Sequence, residues 1–230
     1  MTDTSAQPLV SVQGISRYYP TQAGKVIALE NVSFDLTTGK LVVVKGRSGS
    51  GKTTLLNLIG GLDQPDSGNV LINGQDLDSL NDRERTLLRR HSIGFVFQSF
   101  GLIATYSALE NVEFALRLSD KPYRQIQKRA ETCLKLVGLH NRMDHRPDEL
   151  SGGQQQRLAI ARALCYQPML ILADEPTGEL DSETTHRILA LFRRLVDREG
   201  VTVLLTSHPL LAEPYADQVL KLVGGRLVEN

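Results

Sequence analysis

Apolar and polar residues follow one another along this chain of 230 residues in stretches that predict strands and helices in turn. Short apolar runs at 41–44, 93–97, 169–173 and 201–206 have the length of buried strands. Segments with apolar residues at helical spacing separate these runs, as in 182–198. Buried strands that alternate with helices indicate an α/β fold, with a mainly parallel sheet covered on both faces.

Two parts of the chain depart from this alternation. Residues 9–15 and 26–34 predict an antiparallel hairpin ahead of the parallel core. Helical spacing between about 99 and 163 predicts a helical insert. We therefore expect a single domain over 9–230, preceded by a flexible tail over 1–8.

Composition narrows the classes of function. Lys and Arg together number 26, as do Asp and Glu, so the balanced charge does not suggest a nucleic-acid binder. The two cysteines, Cys133 and Cys165, lie far apart without metal-ligand spacing, which favours reduced core thiols. No apolar run approaches the length of a membrane span, and the first residues do not resemble a signal peptide. We expect a cytoplasmic protein that works at a membrane only through a partner.

The run at 41–44 leads directly into the most informative segment of the chain. There the sequence GRSGSGKTT places a glycine-rich loop between a strand and a helix, which is the context of a phosphate-binding P-loop. Glycines let successive N–H groups converge on phosphate oxygens at the positive end of the helix. Lys52 is placed to reach the β- and γ-phosphates, and the Thr53 hydroxyl to bind Mg²⁺. The predicted nucleotide-binding residues here are Gly46, Ser48, Gly49, Ser50, Gly51, Lys52, Thr53 and Thr54.

Polar residues also follow the other predicted core strands. With a P-loop upstream, Asp174 and Glu175 after the run 169–173 predict a Mg²⁺ ligand and, next to it, a base that activates water. Gln98 follows another strand, where its amide suits Mg²⁺ or the attacking water, although a plain surface glutamine also fits. His208 follows a third, where ligands gather at the carboxyl ends of a parallel sheet and a neutral imidazole suits the γ-phosphate.

Residues 150–157, LSGGQQQR, combine a capping serine, two glycines and a helix start. Together they predict a second anion-binding helix N-terminus, and an ordinary capped helix is the alternative. One nucleotide needs only one phosphate loop. The second one therefore suggests that Ser151, Gly152 and Gly153 complete a site on another molecule.

Six motifs follow one another along the chain: GRSGSGKTT, FVFQSF, LSGGQQQR, LILADEP, GELD and TSH. In these motifs and in their order, the chain resembles the ATP-binding cassette (ABC) ATPases over nearly its whole length. The resemblance implies a P-loop NTPase of the ABC type, with a RecA-like parallel-sheet core, an N-terminal antiparallel β subdomain and a helical insert. It also implies ATP hydrolysis with Mg²⁺ in a head-to-tail homodimer. Each ATP then lies between the P-loop of one copy and the Ser151 segment of the other.

Matched position by position, the resemblance implies the remaining roles. Tyr19 is similar to the aromatic residue that stacks on adenine, with Tyr18 the weaker candidate. Asp181 falls in the D-loop, Gln98 at the Q-loop glutamine and His208 at the switch histidine. The implied catalytic residues are Glu175, His208, Lys52 and Gln98, and the implied metal ligands are Thr53, Gln98 and Asp174.

Residues in NLIGGLDQPDSGNV and FVFQSFGLIATYSALENVE are similar to the branch of the family that contains LolD, MacB and FtsE. That branch implies integral membrane permease subunits as partners, and a position on the inner face of the cell membrane. It also implies export or extrusion of a lipoprotein, peptide, lipid or drug-like substrate. No nucleic-acid partner is expected.

Two positions depart from the family pattern. Glu179 adds a carboxylate to the D-loop, which predicts weaker ATP-driven closure through charge repulsion. Pro209 stands where an aspartate usually follows His208, which leaves the partner of that imidazole open. These departures leave room for a regulatory ATP-binding module with little turnover. A soluble ABC-type ATPase acting on DNA or ribosomes is a further alternative, against which stand the single cassette and the balanced charge.

Overall fold

The computed structural model describes residues 7–22, 24–117, 119, 121–207 and 211–228. Most of the predicted N-terminal tail, residues 1–6, lies outside this part of the chain. Two β-sheets and six α-helices form the described structure.

The first sheet is antiparallel and confirms the predicted N-terminal hairpin. Strand β1 pairs with β2 from Val10 opposite Leu36 to Thr21 opposite Gly24. Both strands extend beyond the predicted bounds. The prediction stopped short because the outer ends of the strands are partly exposed and lack a clear apolar alternation. In order across the sheet the strands are β2 (Gly24–Leu36), β1 (Val10–Thr21), β4 (Ser67–Ile72) and β5 (Gln75–Asp76).

The second sheet is the mainly parallel core that the apolar runs predict. Strand β3 lies at its centre and pairs in parallel with β8 on one side and β9 on the other. Only the terminal pair of the described strands in this sheet, β9 with β10, is antiparallel. In order the strands are β10 (Arg226–Val228), β9 (Gln218–Val223), β3 (Leu41–Lys45), β8 (Thr202–Ser207), β7 (Leu170–Ala173) and β6 (Ile93–Val96).

The helical segment predicted at 182–198 forms a helix that ends one residue later. Helix α6 buries one stripe, with Leu189, Phe192 and Val196 at helical spacing, and Asp181 caps its first turn. No helix in the described part of the chain is both long and apolar enough to cross a membrane. The helices are α1 (Lys52–Ile59), α2 (Asp82–Ser92), α3 (Ala108–Leu116), α4 (Tyr123–Leu136), α5 (Gly152–Ala163) and α6 (Ser182–Glu199).

The parallel sheet divides the core into two layers. Along β3, Leu41 and Val43 pack into a cluster with residues of α3 to α6, whereas Val42 and Val44 pack toward α1 and the antiparallel sheet. Successive residues of a strand point to opposite faces, so a run of four apolar residues needs both layers. This arrangement leaves the carboxyl ends of the parallel strands open for a ligand.

The two cysteines lie in the helical layer. Cys133 and Cys165 are both buried and free. Burial raises the pKa of Cys133 to about 11 and that of Cys165 to about 12. Thiols held neutral in this way are poor nucleophiles and act as small apolar core residues.

The loop between β6 and α3 is fixed at two points. The buried side chain of Asn111 accepts a hydrogen bond from the N–H of Ile103 (2.8 Å) and donates to the carbonyls of Ile103, Tyr106 and Ser107. Arg162 of α5 donates to the Phe100 carbonyl at 2.9 Å. The chain after Gln98 is therefore tied to the helical layer.

Candidate nucleotide-binding and catalytic site

A cavity of about 340 Å³ opens where the P-loop meets the carboxyl ends of the parallel strands. It brings together residues that the sequence predicts for adenine, phosphate and water. Its lining consists of Tyr19, Val26, Ile27, Ala28, Ser48, Gly49, Gly51, Lys52, Thr53, Thr54, Gln98 and Glu175.

The path of the P-loop requires glycine at two of its positions. Gly51 precedes α1 with φ of 102°, and a Cβ there would overlap the carbonyl oxygen of Ala28. At Gly46 a Cβ would lie 2.5 Å from the carbonyl oxygen of Leu222. The backbone therefore approaches its neighbours more closely than a side chain allows, and it presents the first N–H groups of α1 to the cavity.

Lys52 is held across the mouth of the loop. Its side chain is only 4% exposed, and its Nζ donates to the carbonyls of Gly46 (3.0 Å) and Arg47 (3.2 Å). The same Nζ lies 3.0 Å from Oε1 of Glu175. The ammonium group is thus oriented toward the phosphate loop, and a carboxylate already occupies one of its donor directions.

The two acids after β7 have separate partners. Asp174 accepts hydrogen bonds from the Thr53 hydroxyl and from the Thr206 hydroxyl, both at 2.7 Å. Thr206 also accepts the backbone N–H of Glu175 at 2.8 Å. Asp174 therefore faces the start of the P-loop helix, whereas Glu175 faces Lys52.

Thr206 is a site residue that sequence reasoning missed. It lies in the buried strand β8, within a run read only for its apolar pattern. A buried hydroxyl needs a hydrogen-bond partner. A threonine within an apolar run is therefore the feature of the sequence that could have identified Thr206. Which partner it takes depends on the neighbouring strand β7.

The backbone of Glu175 is strained. Its φ is 42°, in the left-handed region that residues other than glycine seldom adopt. Such strain persists where surrounding contacts over-determine a conformation, and it is frequent at catalytic positions. Here the contacts are the N–H bond to Thr206 and the ion pair with Lys52.

Tyr19 lines the cavity on the side of the antiparallel sheet, and Tyr18 is not among its described lining residues. The hydroxyl of Tyr19 donates to Oδ2 of Asp63 at 2.8 Å. The guanidinium of Arg17 lies 4.9 Å from the centre of the Tyr19 ring. The geometry favours Tyr19 over Tyr18 as the aromatic residue beside the phosphate loop.

The remaining predicted ligands lie elsewhere on the chain. Ser151, exposed before α5, donates its N–H to Oε1 of Gln154 at 2.8 Å. Gly153 packs against Thr184, where a Cβ would overlap the methyl group. Ser151 and Gly153 line a different cavity, of about 320 Å³, and no described residue lines both this cavity and the P-loop cavity.

Asp181 belongs to this second surface. Its carboxylate accepts the N–H of Thr184 (2.9 Å) and the hydroxyl of Thr184 (2.6 Å), and these bonds lower the pKa of Asp181. Its neighbour Leu180 contacts the first residue of α5, where a Cβ on Gly152 would lie 3.3 Å from Cδ2 of the leucine. The D-loop and the LSGG segment thus form one surface, apart from the chain's own P-loop.

Two predicted positions cannot be placed. His208 and Pro209 lie outside the described residues. Within the described ranges, no group of three or more His, Cys, Asp or Glu side chains lies close enough together to hold a metal ion. The predicted magnesium ligands, a hydroxyl, an amide and one carboxylate, stay a prediction.

Comparison with known proteins identifies a family. The ABC transporter family pattern matches residues 29–178. An uncharacterised ABC transporter ATP-binding protein of Methanocaldococcus jannaschii is 42% identical over 223 residues, covering 96% of this chain and 98% of that protein. The lipoprotein-releasing system ATP-binding protein LolD of Pseudomonas syringae is 41% identical over 225 residues, covering 98% of this chain and 99% of that protein.

Solved structures agree with these relatives. The ATP-binding cassette MJ0796 of M. jannaschii, in a dimeric post-hydrolysis state bound to ADP and Pi, matches with a TM-score of 0.86 and 40% identity over 96% of this chain and 97% of that one. CbiO1 of Clostridium perfringens, part of the ABC transporter complex cbiONQ, matches with a TM-score of 0.88 and 28% identity over 97% of this chain and 88% of that one.

Proposed function

The chain belongs to the ABC transporter family, and on that premise we propose how its two separate surfaces share the hydrolysis of ATP. The protein is the ATP-binding and ATP-hydrolysing subunit of an ABC transporter of the LolD-like branch, and it energises a separate membrane permease. We propose that ATP lies in the P-loop cavity of one copy, covered by Ser151, Gly152 and Gly153 of a second copy.

The separation of the two cavities carries this proposal. One chain lines the P-loop cavity without any residue of the LSGG segment. That segment lies beside the D-loop of the same chain, with Ser151 exposed and Gly152 and Gly153 partly exposed. A helix N-terminus with free N–H groups is an anion-binding feature. In a head-to-tail pair of chains, the P-loop cavity of each copy meets the LSGG segment of the other. The related cassette MJ0796 has a dimeric structure.

In this proposal the residues of the site have distinct tasks. Tyr19 stacks on adenine, and the N–H groups of the P-loop hold the phosphates. Lys52 leaves Glu175 and pairs with the γ-phosphate, which frees the Glu175 carboxylate to accept a proton from water. The water oxygen bonds to the γ-phosphorus while the bond to the β-phosphate oxygen breaks, so ADP and phosphate are the products. Gln98 orients the water, and His208 donates to the γ-phosphate.

We further propose that Mg²⁺ accompanies the nucleotide. The Thr53 hydroxyl and Asp174 carboxylate lie 2.7 Å apart, and Gln98 lines the same cavity. Oxygen donors of this kind suit Mg²⁺, which binds through one or two carboxylates together with substrate phosphates. When bound, the ion neutralises charge on the phosphates.

Mixing two inactive variants tests the shared site. Lys52→Ala removes the phosphate contact, and Ser151→Arg blocks the covering segment. Each variant alone is expected to be inactive. An equal mixture is expected to recover about a quarter of the wild-type rate, because half of randomly paired dimers are mixed and each holds one intact site. Activity of Ser151→Arg alone, or no recovery on mixing, would contradict the proposal.

We also propose where the permease binds. A groove of about 470 Å³ lies between β6, α2 and α5, next to the loop that follows β6 and contains Gln98. Phe97 and Leu62 line it with 43% and 50% of their surface exposed. Arg89 and Arg162 stand among its apolar walls. This chemistry suits a short amphipathic segment of the permease that carries apolar residues and a carboxylate.

Co-purification with the permease from detergent-solubilised membranes tests the groove. Phe97→Ser is expected to abolish recovery of the permease while ATP binding is retained. Val223→Ser is the matched control, since Val223 is 52% exposed at a different part of the surface. Equal recovery of the permease with both variants would refute this docking site.

The permease recovered in the same experiment also identifies the transported substrate class. Relatives named as lipoprotein-releasing system ATP-binding proteins support export or extrusion of a lipoprotein. A peptide, lipid or drug-like molecule is the alternative substrate in this proposal. We propose that the protein is held at the cytoplasmic face of the membrane through that permease. Its absence from washed membranes of cells that express the permease would contradict this localisation.

A further inference from the structure

The ring of Tyr19 is held by two side chains that do not line the nucleotide cavity. Its hydroxyl donates to Oδ2 of Asp63 at 2.8 Å, and the guanidinium of Arg17 lies 4.9 Å from its centre. Arg17 in turn grips the same carboxylate with two hydrogen bonds, from Nε to Oδ2 at 3.0 Å and from Nη2 to Oδ1 at 2.8 Å. Tyrosine, carboxylate and guanidinium therefore form a closed triangle.

The triangle is anchored to the P-loop helix. The N–H of Asp63 lies 3.3 Å from the carbonyl of Asn57 in the last turns of α1, and the N–H of Leu62 donates to the same carbonyl at 2.8 Å. Lys52 and Thr53 stand at the opposite end of this helix. One rigid element thus connects the phosphate loop with the carboxylate that holds the aromatic ring.

A second carboxylate reinforces the strand that carries the ring. Asp66 accepts the backbone N–H of Tyr18 at 2.7 Å and a hydrogen bond from Nη1 of Arg17 at 3.3 Å. The N–H of Asp66 donates to the carbonyl of Ser16 at 2.8 Å. Strand β1 is therefore pinned beside the Asp63 turn along four consecutive residues.

The contacts keep the triangle charged. Burial alone would raise the pKa of Asp63, but the hydrogen bonds from Gln64 N–H and Tyr19, with the Arg17 charge, outweigh it and lower that pKa. Arg17 lines a neighbouring cavity with Asp63 and not the P-loop cavity. Its guanidinium therefore contacts the ring from outside the cavity that Tyr19 lines together with the phosphate loop.

We propose that Asp63 and Arg17 are positioning residues that pre-orient the Tyr19 ring as a platform for the nucleotide base. This inference rests on the proposed role of Tyr19 in adenine binding. An aromatic side chain that is already immobilised loses less conformational freedom when a base stacks on it. The triangle should therefore contribute to recognition of the base and leave recognition of the triphosphate unchanged.

Binding of two Mg²⁺ complexes to the full chain tests the proposal: ATP, and inorganic tripolyphosphate, which has no base. Asp63→Asn and Tyr19→Phe are each expected to weaken ATP binding roughly two- to tenfold, with tripolyphosphate binding unchanged. The double variant should bind ATP no more weakly than the weaker single variant, because the hydrogen bond that Tyr19→Phe removes is already lost in Asp63→Asn. Steady-state kinetics should show a raised KM for ATP with kcat retained. Tyr18→Phe is the control and should match the wild type.

Each alternative outcome is decisive. Equal weakening of both ligands would show that Asp63 only supports the fold, and unchanged ATP binding in both variants would also overturn the proposal. Tyr19→Phe removes only a hydroxyl and keeps the test valid should Asp63→Asn fail to fold. Tyr19→Ala tests the adenine site at Tyr19 separately from the positioning role of Asp63 and Arg17. If it leaves ATP affinity intact, the adenine site itself is wrong; if it weakens ATP while Tyr19→Phe and Asp63→Asn do not, only the positioning role fails.

Discussion

Replacing Glu175 by Gln removes a charge that competes with ATP for Lys52. Oε1 of Glu175 lies 3.0 Å from Nζ of Lys52, with 20% and 4% of the two side chains exposed. A γ-phosphate that pairs with this ammonium must displace the carboxylate and also approach its negative charge. Glutamine keeps the shape of the side chain but carries no charge. We therefore expect Glu175→Gln to bind ATP more tightly than the wild type and to hydrolyse it far more slowly.

The size of the effect follows from the ion pair. Coulomb's law at this separation with an effective dielectric constant of about 20 gives an attraction of roughly 5 kcal/mol. Desolvation of the two partly buried charges offsets most of it. The surviving difference between a charge-assisted and a neutral hydrogen bond is about 1–1.5 kcal/mol. ATP affinity should therefore rise about tenfold. Loss of a general base should lower turnover by roughly 10²- to 10⁴-fold.

Calorimetric titration with a non-hydrolysable ATP analogue measures the affinity without turnover. The protein is kept at a concentration where it is shown to be monomeric, so that closure between copies adds nothing. Glu179→Gln is the matched control, because it removes the same charge from an exposed D-loop position. This control should leave the affinity of the monomer unchanged and should favour ATP-dependent dimers at higher concentration. Equal affinities for wild type and Glu175→Gln, or an equal rise in the control, would refute the competition for Lys52.

Three further predictions concern other parts of the molecule. Thr206→Val removes the hydroxyl that bonds Asp174, and it should cost about 1–3 kcal/mol of unfolding free energy and lower kcat; an unchanged melting temperature and kcat would contradict the role of Thr206. Cys133 and Cys165, whose pKa values burial raises to about 11 and about 12, should resist alkylation at pH 8 until the protein unfolds, as mass spectrometry can show. Burial alone would raise the pKa of Asp217, but its hydrogen bonds and nearby cations lower it, so its contribution to stability is full above the unfolded pKa of about 4 and is lost as pH falls through the lower folded pKa. Denaturation of Asp217→Asn should accordingly show a deficit against the wild type at pH 7 that shrinks below about pH 4, and a constant deficit would refute the linkage.

Local pattern is sufficient for features that one short segment creates. The P-loop is one contiguous segment. The spacing of its glycines, lysine and threonine predicts phosphate binding, because the strand, loop and helix that position them are consecutive in the sequence. The apolar runs predict the core strands β3, β6, β7 and β8 for the same reason, since a strand buried on both faces has no polar alternation. Ser151 indicates the start of a helix through its own cap position. Exposed strand ends are predicted less well, as the outer halves of β1 and β2 show.

The sequence by itself thus determined the family of site, the class of fold and the identity of most candidate residues. Only the tertiary structure decided which of them meet. Asp174 joins Thr53 across 121 residues, and Asp63 joins Tyr19 across 44, because strand order and register place them together. No local pattern encodes such pairs, since residues far apart in the chain are brought together by the packing of the whole sheet. The same packing places Ser151 in a different cavity from Lys52, which is the physical reason that a single copy presents two half-sites.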